Sequence, residues 1–182
     1  MIEGEAGVGY VLRPGFLLPP LMFTQEEIEA LVLGSRWVIE SADNHLSDAA
    51  RSALSRIATV LPTDLRNDLE KSTLLIGPGT NLPADIVDLK YLRKAIRNEH
   101  KLILDYSDKN DAASTRTIWP FALTFFDSAR ILLGWCELRQ SFRHFRTDRI
   151  ISAHMTGERY PERRQTLFKK WREAEGIKRN FD

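Results

Sequence analysis

The chain has 182 residues, 43% of them apolar and 28% charged, enough to bury a core in one large domain or two small ones and too apolar for a disordered chain. Its formal net charge of +1 conceals a gradient: residues 1–40 carry six glutamates against two arginines, whereas residues 130–172 carry eleven Lys or Arg against four carboxylates. An anionic partner is therefore expected at the C-terminal third.

Residues 1–20, MIEGEAGVGYVLRPGFLLPP, hold four glycines and three prolines around short apolar runs, which reads as a hairpin. Gly7 and Gly9 do not begin a nucleotide loop, because Leu12 stands where the third glycine belongs. Thr24 and Glu27 have capping-box spacing ahead of Ile28, Leu31 and Val32, predicting a helix. A second helix is expected from Ser47 to Val60, stopped by Pro62, with a short turn at 63–70 and a brief strand in STLLIGPG (72–79). Ile86, Leu89, Leu92 and Ile96 then place a helix over 85–98. Strands are predicted at 101–106, at 116–126 with Pro120 requiring an edge or a bulge, and at 130–139. An amphipathic helix, 161–176, follows them. Helices first and short strands later make the class α+β, with a small bent sheet or barrel in the second half.

Catalytic motifs are absent from the sequence. The histidines at 45, 100, 144 and 154 have neither each other nor a cysteine at metal-ligand spacing, so no metal site and no cofactor is expected. Cys136, His144 and Asp148 could be imagined as a triad, but a lone cysteine in ILLGWCEL reads as a small buried hydrophobe. No enzyme is expected. The single cysteine excludes an internal disulfide and suits a reducing cytoplasm. No run approaches the roughly 20 apolar residues of a membrane span, and MIEGEAGVGY lacks the features of a secretory signal.

The segment LRQSFRHFRTDRI (138–150) carries arginines at 139, 143, 146 and 149. On a helix these would share one face; as strand, turn and strand they would be divided between faces. They could form a phosphate grip, since the guanidinium fork donates two parallel hydrogen bonds. They could equally be a solvated rim of surface pairs worth about 0–1 kcal/mol each.

IRNEHKLILDYSD, RTIWPFALTF and RILLGWCELRQSFRHFRTDRI together resemble the WYL domain of many bacterial transcriptional regulators. GEAGVGYVLRPGFLLPPLMFTQEEIEAL resembles the segment that joins the winged helix-turn-helix of those regulators to the region before the WYL domain. The resemblance implies an N-terminal β-hairpin (a wing remnant, 1–22), a helical connector (23–84), an SH3-like or Sm-like small β-barrel (85–157) and a C-terminal helical segment (158–182). It also implies an effector-sensing module that binds an anionic nucleotide or single-stranded nucleic acid. Tyr106, Arg116, Arg139, Arg143 and Arg146 match the family's polar set, and Arg149 is the arginine expected to serve the fold. A homodimer is expected, with duplex DNA bound only through a helix-turn-helix that this chain lacks and that would need about sixty more residues before Glu3. The chain departs from the family where Arg130-Ile131-Leu132 stands for Trp-Tyr-Leu. The alternative is a dimerisation module with no ligand.

Overall fold

The computed structural model describes residues 2–5, 9–12, 23–63, 65, 66, 74–77 and 83–177. Strands β1 (Ile2–Glu5) and β2 (Gly9–Leu12) pair as a four-residue antiparallel ladder. Helix α1 (Gln25–Ser41) begins at the predicted capping box: the Glu27 N–H donates to Thr24 Oγ1 at 3.3 Å, and the Thr24 N–H donates to the Glu27 carboxylate at 2.8 Å. These bonds satisfy two N–H groups that the first turn leaves without helical partners. Helix α2 (Asn44–Val60) starts three residues earlier than its apolar pattern suggests, because the Asp43 carboxylate accepts from the N–H groups of His45 and Leu46. Ile28, Val32 and Leu61 are buried between the two helices, flanked by Phe23, Leu54, Ile57 and Leu65.

The expected fold class needs correction here. The N-terminal region is a two-helix unit, not a β-hairpin with a connector behind it, and the large sheet follows those helices in the chain. The physical reason lies in the core: the buried apolar side chains come from α1, α2 and their flanks. Strands of four residues cannot support a fold by themselves, and the β1–β2 ladder shares no pairing with the large sheet. The rest of the expected wing remnant (1, 6–8 and 13–22) lies outside the described residues. So does most of the expected turn at 63–70. Within the strand expected at 72–79, residues 74–77 form no strand and the others lie outside.

Helix α3 (Leu89–Asn98) is capped by Asp88, whose carboxylate accepts from the Lys90 N–H at 2.8 Å. It therefore starts four residues after the predicted Asp85, and Ile86 is left 68% exposed. Five strands follow: β3 (His100–Ser107), β4 (Ala113–Phe126), β5 (Ala129–Cys136), β6 (Ser141–Arg146) and β7 (Ile150–Arg159). A 3-10 turn, Thr147–Arg149, separates the last two. The sheet is antiparallel with order β6-β5-β4-β3-β7, and its two end strands do not pair with each other. Helix α4 (Arg164–Ala174) comes last.

Strand alternation sends side chains to two faces, and each face has its own cover. Leu102, Leu104, Ile118, Leu132 and Phe145 pack against Leu92 and Ala95 of α3. Phe121 and Leu133 pack against Leu167 and Trp171 of α4. Pro120 sits in a central strand at a site that tolerates it: pairing with β3 ends at Leu102–Ile118, and a bulge interrupts the β5 pairing between Pro120 and Ala122. The Pro120 carbonyl accepts from the buried Tyr160 hydroxyl at 3.0 Å.

The two-helix unit is fastened to the sheet by arginines. Arg130 donates from Nε and Nη2 to the Ser41 carbonyl at 3.2 and 2.9 Å, and from Nη1 to Asp85 at 2.8 Å. Arg93 forks onto Asp43. Burial, the largest single influence on the Asp43 carboxyl, raises its pKa, but the Arg93 fork and the α2 backbone together bring it below the ordinary value.

Candidate functional site

The β5–β6 turn occupies 137–140, with Gln140 in the left-handed region at φ 47°. LRQSFRHFRTDRI is thus a turn, a short strand, a 3-10 turn and the start of β7 rather than one helix. On β6, Phe142 and His144 face α4: Phe142 packs edge-on to Phe121, and His144 Nε2 accepts from the Trp171 indole at 3.0 Å. Arg143 and Phe145 face the other side. There Phe145 is buried and Arg143 is exposed.

That side opens into a cavity of about 280 Å³ at the end where β3, β4, β5 and β6 meet. Tyr106, Arg116, Arg139 and Arg143 all line it. Tyr106 ends β3, Arg116 opens β4, Arg139 stands in the β5–β6 turn and Arg143 lies on β6. The guanidiniums therefore come from three separate segments. Arg116 Nε donates to Ser114 Oγ at 3.1 Å. Arg139 and Arg143 are exposed, and their guanidiniums make no hydrogen bond or ion pair with any described residue. Tyr106 is held on both sides: its ring meets Phe145 edge-on at 5.2 Å, and its hydroxyl accepts from the Arg146 N–H at 3.3 Å.

Arg146 does not line the cavity. Its side chain forks onto Asp148, with Nε–Oδ1 3.0 Å and Nη2–Oδ2 2.9 Å, so only its backbone touches the Tyr106 wall. Sequence reasoning missed Asp108, Ser114, Cys136, His144 and Phe145, which complete the lining. Asp108 is the cavity's one carboxylate. The N–H groups of Asn110 and Ala112 hold its pKa below the ordinary value, with Arg149 adding to that field. Three guanidiniums against one carboxylate leave the cavity with an excess of positive charge, suited to a multiply charged anion.

The imagined triad is not assembled. Cys136 is buried, His144 spends Nε2 on Trp171, and the Asp148 carboxylate is taken by Arg146. Among the described residues no cluster of three His, Cys, Asp or Glu could hold a metal ion, and no helix is long and apolar enough to cross a membrane.

Residues 88–155 match the family model of the WYL domain. Protein PafC of Mycobacterium tuberculosis, in strains CDC 1551 and H37Rv, is 26% identical over 140 residues, 76% of this chain and 41% of that protein. The chain thus spans less than half the length of these curated relatives. A solved structure of proteasome accessory factor B/C (PafBC) of Arthrobacter aurescens aligns with 79% of this chain and 22% of its own, at 21% identity and a TM-score of 0.41.

Proposed function

We propose that the chain, whose residues 88–155 match the family model of the WYL domain, is the effector-sensing part of a transcriptional regulator of that family. The ligand is an anion of nucleotide type, either a nucleotide or a short single strand of nucleic acid. The observation carrying this reading is the convergence of Arg116, Arg139 and Arg143 on one cavity, two of them with guanidiniums that have no partner among the described residues. Phosphate oxygens would supply the missing acceptors. The cavity holds about 280 Å³, which suits one phosphate-bearing group at a time, with further nucleotides continuing along the exposed Arg139 rim. In a complete regulator, binding here would favour one arrangement of the attached DNA-reading units in a homodimer.

Fluorescence anisotropy with labelled single-stranded oligonucleotides and with free nucleotides, each over a range of salt, tests the reading. Binding should fall steeply as salt rises, and Arg143→Ala and Arg116→Ala should each weaken it by about tenfold, as expected for a lost charge-assisted contact. Unchanged binding in both variants would place the ligand elsewhere. A light-scattering mass of a dimer that ignores every nucleotide would favour the dimerisation module instead.

A further inference from the structure

Strand β4 changes character halfway along. From Ala113 to Ile118 it pairs with β3 and from Ile118 onward with β5, so that from Phe121 to Phe126 only β5 accompanies it. Among the described residues nothing else hydrogen-bonds to the backbone of that second half. In an antiparallel ladder alternate residues turn N–H and C=O away from the partner. Counting back from the two-residue turn at Asp127 and Ser128, the outward-turned residues are Leu123 and Phe125. Such a free edge is a template for another strand.

This edge forms the floor of a groove of about 670 Å³ between α3 and α4. Phe121, Ala122 and Leu123 line it consecutively. Since neighbouring side chains on a strand point to opposite faces, consecutive lining means the groove looks onto the edge of the sheet. Its walls are basic. Arg97 stands on α3, and Arg164, Lys169 and Arg172 on α4, with no carboxylate in the lining. Arg172 lies 5.3 Å over the Phe168 ring, and its Nε is buried without a hydrogen-bond partner. Arg93 also lines the groove but is engaged by Asp43.

We propose that this groove docks an extended acidic peptide segment, which adds as a strand beside residues 121–126 of β4 and sets its carboxylates on Arg97, Arg164, Lys169 and Arg172. Main-chain hydrogen bonds to Leu123 and Phe125 supply affinity that does not depend on sequence, while the cations select acidic side chains. A helix has no free backbone to offer this edge, and a fatty anion would cover the apolar floor while leaving the amides unpaired. The site is independent of the effector cavity, which lies around Arg116 at the other end of β4.

The probe is a fluorescein-labelled hexapeptide alternating glutamate and valine, titrated into the full chain. Two further versions carry N-methyl groups on one or the other set of alternate amides. Saturable binding is expected, abolished by methylation on one set and tolerated on the other, because only one edge of the added strand faces β4. Arg97→Glu combined with Lys169→Glu should weaken binding by about tenfold or more, and Arg143→Ala should leave it unchanged. Lys169→Gln, a change at an exposed side chain of α4, tests the charge contribution should the double variant fail to fold. No saturable binding, or equal binding of the two methylated peptides, overturns the proposal. So would an oligothymidylate that binds with the same variant sensitivity while the peptide does not, since that would make the groove a nucleic-acid track.

Discussion

Arg146 and Asp148 are joined by two parallel hydrogen bonds, 3.0 and 2.9 Å long, across a single residue of chain. The pair fixes the 3-10 turn that carries β6 into β7, and it engages the guanidinium of one of the arginines of the 138–150 run. Arg146→Ala should therefore cost about 1 kcal/mol of stability, the size expected for a partly exposed pair with good fork geometry. It should leave oligonucleotide affinity close to that of the unmodified protein, in contrast to Arg143→Ala. A double-mutant cycle with Asp148→Asn in urea separates the coupling from the single losses. A large affinity loss in Arg146→Ala with normal stability would contradict this assignment.

Glu137 ties the turn at 137–140 to the sheet, accepting the Trp119 indole N–H at 2.7 Å and the Lys101 ammonium at 3.0 Å. The indole bond, aided by Lys101 and opposed by burial, holds the Glu137 carboxyl below its ordinary value. A carboxyl with a lowered folded pKa stabilises the fold above its unfolded-state pKa of about 4.3, and that contribution is lost as pH falls through the folded value. Glu137→Gln should consequently flatten the acid side of the stability–pH curve below about pH 5. Trp119 fluorescence should report the same change. An unaltered acid limb would show that the pair contributes nothing measurable.

Tyr160 closes the far end of β4. Its hydroxyl donates to the Pro120 carbonyl beside the bulge, its N–H donates to the Glu99 carbonyl, and its ring stacks on Trp119 at 6.2 Å. Burial pushes its ionisation well above the usual tyrosine range. Tyr160→Phe keeps the ring and removes only the hydroxyl, leaving the Pro120 carbonyl unsatisfied. A loss of about 1–2 kcal/mol in denaturant midpoint is expected, with unchanged m-value.

Sequence was most informative where a local rule governs the element. The Thr24–Glu27 capping box placed α1 because both partners lie within four residues. It misplaced the start of α3 because Ile86 continues the apolar period, while the capping carboxylate belongs to Asp88. Strand β7 was invisible: it is an end strand whose only buried residue is Ile150, so it carries no strong alternation. The hairpin reading of the N-terminus followed the glycines, but a core is built by apolar area, and in that region α1 and α2 supply it. Of the residues lining the candidate cavity, Tyr106, Arg116, Arg139 and Arg143 were nameable from residue type and resemblance. Asp108 and Ser114 were not, because the register of β3 on β4 brings them to the cavity. The pairing of Arg146 depends on the 3-10 turn, which sets Asp148 under its guanidinium and has no sequence pattern of its own.

Arg130 stands where the resembled family has the first residue of its Trp-Tyr-Leu, and in this chain it is a clamp rather than an aromatic plug. Its guanidinium makes three hydrogen bonds, two to the carbonyl of Ser41 at the end of α1 and one to Asp85. Arg130 and Asp85 are 13% and 12% exposed, so neither charge can turn to water when the other is removed. Arg130→Met should therefore cost about 3 kcal/mol, most of it the penalty of a stranded Asp85. Arg130→Met combined with Asp85→Asn should recover part of that loss. Arg130→Lys should fall between, because it keeps the charge and loses the planar fork. The same substitution should loosen the two-helix unit on the sheet, read as a changed environment of Trp37, whose ring meets Phe125 edge-on at 6.5 Å. If Arg130→Met cost no more than Arg146→Ala in urea, the clamp would rank with the surface pairs and the attachment of α1 would rest on apolar contact alone.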